Sequence, residues 1–318
     1  MHKSTAFLFP GQGSQAVGMG KELAAMYPVA RQTFDEADAA LGYKLSDLCF
    51  EGPEEKLRLT EITQPAILTM SIAACRVLRE VGVEAQFCAG HSLGEYSAHV
   101  AAGTLDFADA VRTVRNRGKY MQEAVPVGVG AMAAILLLPL DKIREICAAE
   151  AKGEVCQPAN INSSDQVVIS GNAAAVQRAA DACKAAGAKR AVMLPVSAPF
   201  HCALMQPAQD RLAADLQSLK FHDPQIPVIA NIDAEPKRTG NDSRDALIRQ
   251  VTGAVRWEDS MRTLIGAGVE NFIEVGPGKV LCGLMRQIDR AKTCLNVEDE
   301  ASLQKLSNHF GLLGIKEA

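Results

Sequence analysis

Gly90-His91-Ser92-Leu93-Gly94 stands between a short apolar segment at 86–89 and a helical pattern that begins at Leu93. A G-x-S-x-G sequence in a strand-turn-helix setting is the form that pushes a serine hydroxyl into a cleft at the end of a sheet. Backbone packs on backbone at such an elbow, so a Cβ at position 90 or 94 would crowd the turn. The helix that follows aims its N-terminus at the serine. Its free N–H groups and dipole can meet a developing oxyanion, with the Leu93 N–H as the first donor. A Gly-Ser turn that merely caps a helix uses the same letters, and the preceding strand favours catalysis.

Working outward, the first strand spans 5–9 and runs into a Gly-rich turn, Pro10-Gly11-Gln12-Gly13-Ser14-Gln15, with a helix near 20–27. Helical stretches alternate with apolar strands at 86–89, 226–230 and 271–275. That alternation predicts an α/β domain with a largely parallel sheet and crossover helices on both faces. The middle of the chain has a different order. Strand 130–138, helix 140–152, strands 156–162 and 166–170, helix 173–186 and strand 189–194 make β-α-β-β-α-β, the ferredoxin-like unit. Pro126-Val127-Gly128 and the run from Pro195 to Pro199 flank it as hinges. The expected organisation is a large catalytic domain of residues 1–126 and 198–318, with 127–197 inserted as a small subdomain.

The 318 residues suffice for a sizeable core. With 33 Lys and Arg against 37 Asp and Glu, the net charge of -4 supplies no basic field for nucleic acid. The nine cysteines show no Cys-x-x-Cys pair and no His spacing suited to zinc, which points to reduced thiols, a cytoplasmic setting and no metal. The apolar run from Ala131 to Leu138 is far shorter than a membrane span, and the stretch from Met1 to Phe9 lacks a signal peptide's apolar region and cleavage site.

A serine nucleophile needs a base. Of the six histidines, His91 adjoins Ser92 and is turned elsewhere, while His2 and His309 lie near the ends. His201, in Ser197-Ala198-Pro199-Phe200-His201 after an apolar strand, can be presented to the cleft by a loop. An ordinary imidazole there would titrate near about 6.5. Asp210, Asp215, Asp223 and Asp233 offer no obvious third member, so a Ser-His dyad oriented by a backbone carbonyl is expected. A thioester substrate suits a dyad, because a thiolate with a pKa of about 8.5 leaves without much acid assistance. On the helix at 106–124, Arg112 and Arg115 share an exposed face, whereas Arg117 falls in line with Ala110, Val114, Met121 and Ala124 on the apolar stripe. A buried guanidinium requires an internal ion pair or a bound anion, such as a substrate carboxylate.

With these residues in hand, the chain resembles the malonyl-CoA:acyl carrier protein transacylases. The matching islands are Phe9-Pro10-Gly11-Gln12-Gly13-Ser14-Gln15, Thr63-Gln64-Pro65-Ala66, the segment 90–98, Arg117-Gly118, Asn160 with Asn162, Pro199-Phe200-His201, Gln250 and Glu274-Val275-Gly276-Pro277-Gly278. The resemblance implies an α/β-hydrolase-like large domain and a serine acylated by malonyl-CoA that passes the group to the phosphopantetheine thiol of acyl carrier protein. It implies Gln12 and Leu93 as the oxyanion hole and the Gln250 carbonyl as the partner of His201. Gln64, Asn160 and Asn162 would line the site, and Phe200 resembles the malonyl-selective form of the motif. No cofactor is implied, and the chain is expected to act as a monomer.

Three other readings compete. Gly11-x-Gly13-x-x-Ala16 after a strand could cradle a dinucleotide, but the acid that should follow falls at Asp35 or Glu36, within a helical pattern. The same elbow serves a serine esterase or thioesterase. A carrier-docking module with a dead site would not need both Ser92 and His201.

Overall fold

The computed structural model describes residues 4–311. His2 and the extreme ends of the expected 1–126 and 198–318 spans lie outside the described residues.

Ten strands are described: β1 (Thr5–Phe9), β2 (Phe87–Gly90), β3 (Gly130–Leu136), β4 (Cys156–Ser163), β5 (Gln166–Asn172), β6 (Arg190–Met193), β7 (Val228–Ile229), β8 (Pro236–Lys237), β9 (Asn271–Val275) and β10 (Thr293–Val297). Six of them form one sheet in the order β10-β9-β1-β2-β7-β8, parallel except where β8 turns back on β7. The other four form a separate antiparallel sheet in the order β4-β5-β3-β6. The protein is thus a mixed α/β structure with two sheets.

Side chains alternate across a strand, and β1 shows what that does here. Phe7 and Phe9 enter a core with the helices Pro28–Leu41, Thr60–Glu80 and Phe107–Glu123, while Ala6 and Leu8 enter a second core with Trp257–Gly266 and Val280–Ile288. Helices therefore cover both faces of the parallel sheet, as the continuous apolar strands predict. The antiparallel sheet packs the helices Leu140–Ala151 and Ala173–Ala185 on one face around its own core. It is tied to the parallel-sheet part through β4, where Ile161 N–H donates to Val255 O and Val255 N–H donates to Ala159 O.

From β1 the chain moves to β2 on one side, while β9 fills the other side of β1. The crevice beyond the carboxyl ends of β1 and β2 is the place where open α/β sheets bind ligands. The Gly-rich turn and the serine elbow leave the sheet at that point, with Phe9 and Gly90 in register.

Three features depart from the sequence reading. The strand expected over 226–230 is confined to Val228–Ile229, and β8 and β10 were not anticipated. β10 has no run of strongly apolar residues, being half-buried over its first four positions at the sheet edge. Cys282 and Cys294 are joined as a disulfide, which corrects the expectation of nine unpaired thiols. The parallel pairing of β10 with β9 brings the helix after β9 beside β10, leaving the two Cα atoms 5.3 Å apart. The other seven cysteines are free and buried.

Candidate active site

Ser92 leaves β2 at φ 53, a left-handed conformation that a non-glycine residue adopts only when its surroundings hold it there. A Cβ on Gly90 would collide with the Gly94 carbonyl, and one on Gly94 with the Phe9 carbonyl. The elbow therefore requires both glycines. The helix Gly94–Ala101 begins directly behind the serine.

The chain leaving β6 returns over the crevice and places His201 Nε2 2.7 Å from Ser92 Oγ. Its Nδ1 faces two main-chain carbonyls, Gln250 O at 3.0 Å and Gly253 O at 3.2 Å. Both accept, so Nδ1 carries the proton and the Nε2 lone pair is left to take the serine's proton. Burial, then the Arg117 charge, push the imidazole pKa down from 6.5 to about 3, so the ring is a neutral base. This corrects the expectation of an ordinary titration near 6.5. The four aspartates considered from the sequence are engaged elsewhere. Asp210 accepts from Gln206, Asp215 from Asn116 and Tyr120, and Asp223 from the Gly240 N–H, while Asp233 pairs with Lys237 and Arg249.

Arg117, 1% exposed, reaches into the same crevice. It donates to Gln64 Oε1 at 2.8 Å, Gln250 Oε1 at 3.0 Å and Ser92 Oγ at 3.2 Å, and lies over the Tyr96 ring. Among the described residues no carboxylate lies within ion-pair distance of it, so the internal salt bridge that could have explained its burial is absent. Burial draws its pKa down. Arg112 and Arg115 stay exposed, as their shared face predicts.

Gln12, Gln64, Leu93, Asn160 and Phe200 line one cavity of about 540 Å³ with Ser92, Arg117 and His201. The backbone N–H groups of Gln12 and Leu93 have no acceptor among the described residues, and both remain free for an oxyanion. Asn162 is set apart. Its Oδ1 lies 2.9 Å from His91 Nε2, and it lines a neighbouring cavity of about 270 Å³ beyond the Gly11–Gly13 turn. His91 packs against Trp257 and borders both cavities, its Nε2 engaged by Asn162 and not by the serine. Asp35 and Glu36 lie in the helix Pro28–Leu41, with Glu36 paired to Arg76, so neither sits where a dinucleotide ribose would need it.

Several site groups escaped the sequence reading. The Gln250 side chain, where the resemblance implied only a role for the main-chain carbonyl, donates from Nε2 to Ser92 O at 2.9 Å and Glu95 Oε2 at 2.8 Å. Its Oε1 holds Arg117, so the amide cannot flip without setting oxygen against oxygen. Glu95, fully buried, has its carboxyl pushed up to about 7 by burial. Gly253 contributes only a carbonyl and left no signal. Among the described residues no group of His, Cys, Asp or Glu is placed to hold a metal, and no helix is long and apolar enough to cross a membrane.

A serine hydrogen-bonded to a histidine, a buried arginine beside it and two free N–H donors suit acyl transfer, and residues 6–309 match the acyl transferase domain family. A curated relative from Escherichia coli K12, a malonyl CoA-acyl carrier protein transacylase, is 55% identical over 284 residues, 89% of this chain and 92% of its own. The structure of the transacylase of the same name from Coxiella burnetii superposes with a TM-score of 0.94 at 46% identity, covering 96% of this chain and 97% of that one. A type II PKS acyl-carrier protein in complex with its malonyl-transacylase gives 0.94 at 48% identity, covering 96% and 99%. This chain belongs to the malonyl CoA-acyl carrier protein transacylase family.

Proposed function

We propose that this enzyme transfers the malonyl group from malonyl-CoA to the phosphopantetheine thiol of acyl carrier protein through an ester on Ser92, as a cytoplasmic monomer supplying fatty acid biosynthesis and needing no cofactor. The observation that carries the reading is Arg117, a buried cation 3.2 Å from the serine oxygen and without a carboxylate of its own. A malonyl carboxylate supplies the missing anion, accepted by paired N–H donors.

His201 Nε2 takes the Ser92 hydroxyl proton as Oγ attacks the thioester carbonyl, with the Gln250 and Gly253 carbonyls holding the ring. The carbonyl oxygen becomes an oxyanion held by the Gln12 and Leu93 N–H groups. The C–S bond breaks, and the CoA sulfur leaves with the proton returned from His201. The carrier thiol then repeats these steps in reverse order and frees the serine. Gln64 braces Arg117, Asn160 and Phe200 form the wall around the acyl group, and Phe200 disfavours a branched malonyl. Asn162 serves at one remove, through His91.

The larger sheet supports an α/β-hydrolase-like domain, and residues 127–197 form a ferredoxin-like subdomain carrying the segment that leads to His201. Numbered within that insert, the sheet order is 2-3-1-4, read from the other edge as 4-1-3-2. Mass spectrometry after mixing with malonyl-CoA tests the proposal. One malonyl group should appear at Ser92 and persist until carrier thiol is added, and Ser92→Ala should remain unlabelled. Labelling of the mutant would place the nucleophile elsewhere, and immediate loss to water would favour the thioesterase reading.

A further inference from the structure

Asn231 follows β7 and is fully buried, 139 positions from the serine it touches. Its Oδ1 accepts from the Ser92 N–H at 2.7 Å and its Nδ2 donates to the Gly90 carbonyl at 2.7 Å. Its own N–H donates to Glu95 Oε2 at 2.9 Å. The elbow turns away from the sheet at these residues, so the Gly90 carbonyl and Ser92 N–H lose their strand partners. Left unpaired in a buried place, each would carry the full desolvation cost of a missing hydrogen bond. A carboxamide offers one acceptor and one donor at fixed separation, which a carboxylate or an aliphatic side chain does not.

We propose that Asn231 is a positioning residue for the nucleophile: its amide clips the Gly90 carbonyl and the Ser92 N–H together and so holds Ser92 in the conformation that aims Oγ at His201. The clip needs no contact with substrate, and it rests on the serine mechanism proposed above. Its effect is on the rate of Ser92 attack, whatever acyl group is offered: Gln250 Nε2 also donates to Asn231 Oδ1 at 3.4 Å, but Gln64 holds Arg117 without touching the clip. The charged and titratable groups packed around it are Glu95, His99 beside Glu95, Arg256, and Asp233 with its partners Lys237 and Arg249.

The test compares Asn231→Ala and Asn231→Asp with the wild type in rapid-quench acylation by malonyl-CoA and acetyl-CoA. Displacement of a reacting group by about 1 Å costs about 10²-fold, so kcat should fall by that order in N231A for both thioesters, with KM and the malonyl preference little changed. In N231D an ionised carboxyl cannot donate to the Gly90 carbonyl but a protonated one can. The N231D to N231A rate ratio should therefore rise as pH falls, a response that loss of packing alone does not produce. Wild-type kcat in both variants, or a ratio flat with pH, overturns the clip. Should either variant fail to fold, hydrogen exchange at the wild-type Ser92 amide decides, since the clip requires slow exchange and rapid exchange refutes it. Wild type and Ser92→Ala run alongside: absence of malonyl on wild-type Ser92 would sink the serine mechanism itself, and the clip with it.

Discussion

The Arg117→Ala substitution separates recognition of the acyl group from construction of the site. In the free enzyme it removes a guanidinium held by two buried amide oxygens and the nucleophile, and it opens space above Ser92. For a malonyl substrate it also removes the cation that contacts Ser92, leaving Arg58, ion-paired with Glu54, as the other arginine lining the cavity among the described residues. Breaking one side of a buried charge pair costs about 3 to 5 kcal/mol, which corresponds to a loss of roughly 10² to 10³ or more in kcat/KM for malonyl transfer. Acetyl-CoA brings no carboxylate, and the Ser92 oxygen no longer accepts a hydrogen bond from a guanidinium, so acetyl transfer should stay level or rise. The preference between the two narrows or inverts. A second signature follows from His201, whose pKa is held down first by burial and then by the Arg117 charge. Without Arg117 it rises, while burial still keeps it below the ordinary value. The assay is kcat/KM for both thioesters across pH on wild type and mutant. A parallel loss for malonyl and acetyl would refute the reasoning and show that Arg117 supports the fold without reading the acyl group.

His201→Ala should slow acyl-enzyme formation by roughly 10²- to 10⁴-fold, the usual contribution of a general base, and an unchanged rate would remove the dyad. In the wild type the neutral imidazole is the active form and its pKa lies well below 6.5, so the acylation rate should hold level as pH falls through 6.5 and decline only at lower pH. A midpoint at 6.5 or above in single-turnover measurements would contradict the buried site. Lys189 and Arg190 are exposed at the start of β6, without ion-pair partners among the described residues, and the chain from β6 runs on to line the cavity at Leu194 to Ser197. Reversing both charges should raise KM for an acidic carrier protein and leave that for malonyl-CoA nearly unchanged; equal effects would assign the patch to CoA phosphates.

Local chemistry made part of this site legible in the sequence. Ser92 is flagged by two glycines set two residues to either side of it, the first needed against the Gly94 carbonyl within the same turn and the second against the Phe9 carbonyl of β1. Arg117 is flagged by helical periodicity, because a charge on an apolar stripe is anomalous before any partner is known. The β-α-β-β-α-β order and the alternation of strand and helix are likewise local patterns, and both sheets formed from them. What the sequence left open depends on long-range placement. Any residue can offer a carbonyl, so nothing marks Gly253. The side chain of Gln250 acquires its role only when Arg117, Glu95 and Ser92 converge on it from two helices and a turn. Asn231 reads as an ordinary polar residue at a strand end until β7 lies beside β2. The Cys282–Cys294 pair exists because β10 aligns with β9. Sequence periodicity reports which side of an element is buried; which atoms then meet across the crevice is set by sheet order and crossover, and those decided how the serine is aimed, how its base is held and that the arginine was left without an anion.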